Sequence, residues 1–597
     1  MPALANLFAL HDADPSFLEG LERKLAEGGE FAEVWRPAPG WVVAVAPLPE
    51  SAPDTDQARG CSLAFVEGRD VISAPFARVA QLADRAPERL ETLPGDFGFV
   101  RFRKDGGATV VRSCGGLVPF YLWQSGGRAA VATRLGDLVR YLPDEPRLDP
   151  LINAVWTSGY ALLPDGRTFL AGVSVLQRGG FARVEPGRQI ATKSYWSPRP
   201  QTLRIPDAER QREHAERLRT ILMEQLGRHL HPDGGNLLSL SGGVDSSALA
   251  ALAAGVLGRP LWTVSVLPEP PHLLQRELSY IKPLLAGLQV QRSWAIRLNA
   301  ATRVAMLHAG PRVACHVPHH VACALPTLLG EAPVRVVFGG DFADEMCGSG
   351  FTWPDWAASA RFPAVLREIF RPPTGPRSLL RWTKHRVLGT LRRPALPFPD
   401  ELPGYVRAEL REEYRAWLDR RRAAAAGDRL PRRYLALRTE EDGFLAMHWE
   451  AGSALGVRRF FPFFNRDILE LASECHPEEL VGPGTKKLLR AALRDDVPRH
   501  NLERRDKGGW GSYMREARLP WKEALPDLLA AIVRPDWHPR PPPTVTWFEA
   551  MGLTQLSVFT ASLRARRTGE ALRVGSQSRT LKNAVRIEPL DTEEKAT

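Results

Sequence analysis

The sequence predicts an α/β protein in two parts: a β-rich sandwich over residues 1–204, then a doubly wound parallel sheet with helical additions over 205–575. Three observations predict it. At 597 residues the chain is too long for one hydrophobic core. Its first 200 residues carry short β-branched runs, "WVVAVAPL", "GDFGFVRFRKDGGATVVRSC", "RAAVATRL" and "GGFARVEPGRQIATKSYW", each bounded by Gly, Asp-Gly or Pro. Beyond the Pro-rich break "YWSPRPQTLRIP", strand-like and helix-like segments alternate.

The elements of the second part follow in order. "DAERQREHAERLRTILMEQLGRHL" repeats its apolar residues at helical spacing. Strand "NLLSL", helix "SSALAALAAGVLG", strand "LWTVSV", helix "RELSYIKPLLAGL" and, later, strand "VRVVF" come next. Alternation at these lengths builds a parallel sheet, and such sheets hold ligands beyond the carboxyl ends of their strands. Residues 576–597, ending "DTEEKAT", read as a disordered tail.

Composition narrows the functional classes. Hydrophobic residues make up 44% and charged residues 25%, ordinary for a globular protein. The net charge of +11 suits an anionic partner, but much of the excess lies between Arg371 and Arg433, as a solvated basic face would. With no RNA-binding module and no reactive CxxC pair, nucleic acid is not an expected partner, and an RNA-modifying enzyme ranks low. Six scattered cysteines argue for a reducing compartment. The start lacks a signal peptide, and no apolar run reaches a membrane span, so a cytoplasmic location away from membranes is expected.

The informative stretch is "LLSLSGGVDSSALAAL", residues 237–252. Gly242 and Gly243 permit close backbone approach, Ser241, Ser246 and Ser247 supply hydroxyls, and a helix start adds a positive dipole, which together suit a phosphate. Asp245 is repulsive there unless a cation bridges it, and Mg²⁺ prefers carboxylate plus phosphate oxygens. Without a loop lysine this is not a Walker P-loop.

The loop resembles the SGGxDS pyrophosphate loop of ATP-pyrophosphatases. Four more segments resemble the asparagine synthetase branch: "VVFGGDFADEMCGSG", "GVRRFFPFFNRDILELA", "GTKKLLRAAL" and "RRDKGGWGSY". "LPGDFGFVRF", "RSCGGLVPFYLWQSGGRAAVATRLGDL" and "TFLAGVSVLQRGGFARV" resemble that branch's N-terminal glutaminase-type (Ntn-type) domain. The family's nucleophile there is a cysteine after the initiator Met, whereas this sequence has Pro2, so the domain reads as degenerate. Accordingly, the purified protein is expected to release no glutamate from glutamine, and glutamine should not stimulate its reaction. Glutamate release in a coupled assay would reverse that expectation.

A member of this branch without an ammonia source resembles β-lactam synthetases and, in length and in "LGVRRFFPFFN", lasso peptide cyclases most of all. The resemblance implies ATP and Mg²⁺ as cofactors, adenylation of an Asp or Glu side chain in a precursor peptide, and ring closure by that peptide's N-terminal amine. It also implies a leader-binding protein and a leader peptidase as partners. The alternatives are a β-lactam synthetase-like or an ammonia-dependent asparagine synthetase-like ligase.

By the same resemblance, Asp245 and Asp344 share the metal. Ser241, Gly242, Gly243, Ser246, Gly340 and Lys486 lie on the nucleotide, with Leu240 and Ser265 on its adenine side. Lys507 stabilises amide formation. Asp341 stands where asparagine synthetases have Glu and β-lactam synthetases a catalytic Tyr, and Glu450 is the candidate base for the attacking amine. "CHVPHHVAC", residues 315–323, fits no standard structural zinc spacing and reads as a groove or packed segment.

Overall fold

The computed structural model describes residues 5–29, 31–47, 62–67, 82, 85–92, 96–144, 147–158, 164–197, 207–298, 328, 330, 332–348, 400–404, 406–426, 445–446, 448–449, 452, 457–481, 485–504, 518–520, 544–546 and 587–590.

Two antiparallel sheets open the chain. The strands are β1 (Ala5–His11), β2 (Glu33–Trp35), β3 (Trp41–Pro47), β4 (Ser62–Glu67), β5 (Asp96–Phe102), β6 (Ala108–Arg112), β7 (Tyr121–Ser125), β8 (Arg128–Ala132), β9 (Val173–Val175), β10 (Gly180–Val184) and β11 (Ala191–Ser194). One sheet runs β2-β3-β1-β8-β7-β9 and the other β11-β10-β6-β5-β4. Strand alternation decides what each face buries. Leu7 and Ala9 of β1 and Val43 of β3 join Val100 and Val110 in one core, whereas Phe8, Leu10 and Val42 turn to a helical layer. That layer contains α1 (Pro15–Glu27), α2 (Leu135–Tyr141) and α3 (Pro150–Thr157). Each polar start is set by chemistry. Asp14 caps α1 by accepting from Ser16 N and Phe17 N, and Asp149 caps α3 by accepting from Ile152 N.

The second part begins with α4 (Ala208–His229), followed by β12 (Asn236–Ser239), α5 (Val244–Ala250), β13 (Leu261–Pro268), α6 (Pro271–Ala286) and β14 (Val290–Leu298). Later come β15 (Val336–Gly339), the short α7 (Ala343–Met346), α8 (Ala408–Ala426), β16 (Arg458–Phe460), α9 (Arg466–Glu474), α10 (Pro477–Leu480), α11 (Lys487–Ala492) and α12 (Arg499–Leu502). The remaining described strands are β17 (Arg518–Pro520), β18 (Thr544–Thr546) and β19 (Ile587–Pro589).

The sheet order is β16-β15-β12-β13-β14-β19, parallel from β16 to β14. The chain winds outward from β12 through β13 to β14, then returns to place β15 on the other flank of β12. The order therefore reverses between β12 and β15, and the crevice at their carboxyl ends is where such sheets take a ligand.

Two expectations are corrected. The segment predicted as a disordered tail supplies β19, which pairs antiparallel with β14, with Leu590 N donating to Ser293 O. An edge strand offers a row of unpaired backbone groups, and the tail satisfies them. The helix after the phosphate loop is also not α-helical throughout, since it widens to a π-helix over Ala251–Val256.

The two parts share a core. Leu117, Val118, Leu176 and Trp196 lie in one apolar cluster with Phe461, Phe463, Phe464 and Leu469. Arg178 stacks its guanidinium 4.4 Å from the Phe464 ring, and Arg466 donates to Glu91 O. Helix α8 buries Tyr414, Trp417 and Leu418 in the helical layer of the first part, and Arg167 pairs with both Asp149 and Glu413. A buried contact of three residues ties α4 to the later helices: His214 Nδ1 lies 2.8 Å from Glu479 Oε2 and 3.5 Å from Cys475 Sγ. Among the described residues no helix is long and apolar enough to cross a membrane.

Candidate active site

At the switch point the phosphate loop leaves β12 and enters α5. Gly242 has φ +67°, and a Cβ there would stand 2.9 Å from Tyr280 Cβ and 3.0 Å from Ile281 Cγ1. Only glycine meets both demands. The loop's hydroxyls bond within it: Ser246 Oγ accepts from Ser241 N at 3.1 Å and lies 3.1 Å from Ser241 Oγ. Ser247 is fully buried, and its Oγ accepts from Asn501 Nδ2 at 3.3 Å. Ser247 therefore braces the loop from behind.

Gly340 follows β15 directly and lies against α5. A Cβ on it would come 2.7 Å from Asp245 Cβ, so glycine is what lets the two strand ends close up. That approach brings Asp245 and Asp344 together with Lys486. The Lys486 ammonium donates to Asp245 Oδ2 and lies 2.8 Å from Asp344 Oδ1. Burial alone would lower the Lys486 pKa, but the two carboxylates outweigh it and hold the value raised, so the lysine stays charged. Its backbone is unusual too. Lys486 sits at φ +60° just before α11, held by Lys486 N donating to Gly348 O at 2.9 Å. A non-glycine residue in that region is strained and needs its surroundings to fix it.

Leu240 is buried, and its N donates to Val264 O at 2.9 Å, which keeps the loop's first residue in line with β13. Ser265, one residue on, is fully buried, and among the described residues its Oγ has no hydrogen-bond partner. A buried hydroxyl without a partner beside a ligand crevice is a place for a ligand to complete. Asp341 is half-buried just past β15. Phe342 follows at φ +68°, stacked 4.1 Å from Phe464, and sets the turn into α7 that carries Asp344.

Sequence reading missed the buttress behind the loop. Asn501 is fully buried and donates Nδ2 to Gly242 O at 3.3 Å and to Tyr280 O at 3.0 Å. Arg504 donates to Ser241 O at 3.2 Å and, through Nη2, to both oxygens of Glu277 at 3.0 and 2.8 Å. Its guanidinium lies 4.2 Å from the Tyr280 ring. Arg504 opens the segment "RRDKGGWGSY", in which the family resemblance points to Lys507, and no local signal marks its first arginine as a brace. Lys507, Glu450 and "CHVPHHVAC" lie outside the described residues.

The arrangement brings a glycine loop, two carboxylates and one buried ammonium together at the crevice. Asp245 and Asp344 both face the Lys486 ammonium, and two carboxylates brought to one cation are the kind of oxygen donors Mg²⁺ takes, so their chemistry fits that ion.

The chain matches the family profile described as asparagine synthase over residues 217–568, more than half its length. No curated protein matches it. Among solved structures, glutamine phosphoribosylpyrophosphate amidotransferase from B. subtilis, complexed with ADP and GMP, is 10% identical, with a TM-score of 0.20, covering 49% of this chain and 80% of that one. A similarity that low carries no argument about fold or activity.

Proposed function

Because the chain belongs to the asparagine synthase family, we propose that it is an ATP-dependent, AMP-forming ligase that closes a macrolactam in a precursor peptide, as a lasso peptide cyclase does. The observation that carries the ligase reading is the convergence of Asp245, Asp344 and Lys486 at the mouth of a glycine loop on the sheet's switch point. The peptide as substrate is supported by the resemblance of the sequence alone.

In the first step a substrate carboxylate oxygen bonds to the α-phosphorus of ATP, the Pα–O bond to the β-phosphate breaks, and pyrophosphate leaves. In the second, the peptide's amine attacks the acyl carbon, the acyl–phosphate bond breaks, and AMP leaves as the amide forms. Gly242 and Gly243 turn backbone toward the phosphates, and the start of α5 adds its dipole. In this reading Lys486 follows the departing pyrophosphate, with Asp245 and Asp344 as its counterions meanwhile. A Mg²⁺ ion held by those two carboxylates would supply charge neutralisation on the triphosphate. Glu450 takes the amine's proton in this reading, and Asp341 borders the acyl group. Tethering both reacting groups in one peptide makes the attack intramolecular.

Lys507 tests the second step. Lys507→Met should impair ring closure more than adenylation, by some hundredfold for a lost contact of about 3 kcal/mol. With a peptide substrate the variant should still convert ATP to AMP and yield mostly linear peptide, because the stalled adenylate is lost to water. An equal fall in ATP cleavage and cyclisation would assign Lys507 to adenylation instead. Pyrophosphate release with free aspartate alone would favour an asparagine synthetase-like ligase over a peptide cyclase.

A further inference from the structure

Arg459 is the second residue of β16 and is 6% exposed. Its Nη2 lies 3.0 Å from His448 Nδ1, but among the described residues its Nε and Nη1 have no hydrogen-bond partner and no carboxylate pairs with it. Three other arginines are buried among the described residues, and one of them, Arg178, donates to Cys114 O and stacks on Phe464. Arg112 donates to Gly116 O and Leu176 O, and Arg504 to Glu277 and Ser241 O. A buried guanidinium with no carboxylate in direct contact among the described residues is costly, and folding alone gives no reason to keep one.

Its surroundings make room for it. Strand alternation sends Arg458 and Phe460 toward α4, where Arg458 donates to His229 O and Phe460 stacks 4.2 Å from the His229 ring. Arg459 lies on the opposite face, with His448 packed edge-on at 5.1 Å from Phe461. A Cβ on Gly452 would come 3.0 Å from Arg459 Cγ, so glycine clears the arginine's stem. Burial lowers the Arg459 pKa to about 10, and Asp341 pulls the other way, which leaves the group charged at neutral pH and marks Asp341 as the carboxylate whose field it feels.

The order of the sheet says what should lie there. Ser265 is on β13, the phosphate loop leaves β12, Asp341 and Asp344 follow β15, and Arg459 is on β16. A nucleotide running from Ser265 to the Asp344 end leaves the β16 side for the acyl substrate. A carboxylate arriving there would meet the negative Asp341, and a cation beside both removes that repulsion. We propose that Arg459 is the anchor for the substrate carboxylate, held in position by His448, so that the site accepts a carboxylate and refuses the matching amide. This rests on reading the chain as a carboxylate-activating ligase.

The test uses the full-length protein loaded with α,β-methylene-ATP and Mg²⁺. The probes are N-acetylglutamate α-amide and N-acetylaspartate α-amide, with the glutamine and asparagine counterparts as uncharged controls, titrated by calorimetry. Wild type should bind a carboxylate probe and not its control. Arg459→Met should weaken that binding at least about tenfold, Arg459→Lys should restore part of it, and the analogue's own Kd should stay unchanged. Without ligands Arg459→Met should melt no lower than wild type, since it removes a buried charge whose described hydrogen bond is to a neutral-capable ring nitrogen and not to a carboxylate. A melting point several degrees lower with carboxylate binding intact would make Arg459 structural and overturn the inference. So would loss of the ATP analogue, or a wild type that does not prefer the charged probes. ATP cleavage between the α- and β-phosphates by wild type tests the ligase reading separately. Cleavage with probe binding indifferent to Arg459 removes this inference alone.

Discussion

Asp245→Asn is expected to abolish pyrophosphate release while leaving a folded protein. The carboxylate does two things at one place. It is the nearest counterion of the buried Lys486 ammonium, and with Asp344 it forms the pair of oxygen donors at the loop's mouth. An amide keeps the shape and removes the charge. Transition-state charge stabilisation worth several kcal/mol at such a site corresponds to a loss of roughly a thousandfold or more. The structural effect is smaller because Asp344 still faces Lys486, so the lost charge-assisted bond costs about 1.5–3 kcal/mol. Pyrophosphate release and thermal melting, measured together, separate the two effects. Near-normal turnover would show that the loop does not act on the triphosphate.

The second large effect concerns the first part of the chain. Deleting residues 1–200 should leave an insoluble or unfolded remainder even though every proposed catalytic residue is retained. The deletion strips Leu117, Val118, Leu176 and Trp196 from the cluster that covers Phe461, Phe464 and Leu469. It also exposes the face of α8 that carries Tyr414, Trp417 and Leu418. Each large apolar side chain returned to water costs roughly 1.5–3 kcal/mol, against a total stability of about 5–15 kcal/mol for a typical fold. Solubility and circular dichroism of the truncated protein check this. A well-folded, monomeric remainder would show that the shared core is dispensable.

These expectations drew unequally on the sequence. The phosphate loop could be read directly because its requirements are local: two glycines, a serine and an aspartate within a few residues between a strand and a helix. The parallel sheet was legible for the same reason, as alternation of two periodicities. Asp344 and Lys486 needed the family resemblance, since nothing local says that residues about 100 and 240 positions beyond Asp245 meet it. Arg459, Asn501 and Arg504 were not legible at all. Whether an arginine ends in solvent or is buried against a loop is decided by which strands become neighbours. Helix α8 was misleading in a similar way, because its position in the chain assigns it to the second part while its apolar face packs on the first. The tail was misread because a strand of three residues carries too little pattern to be seen, and its formation depends on the edge it covers.

That covering strand has a consequence in time. β19 is synthesised about 290 residues after β14. At ribosomal rates of about 5–20 residues per second, the β14 edge waits roughly 15–60 s for its partner. For that interval a nascent chain displays an open strand that another nascent chain on the same message could pair with. Stopping translation before Ile587 would make the interval permanent, so the yield of monomer should then depend on expression rate and temperature more steeply than for the full chain.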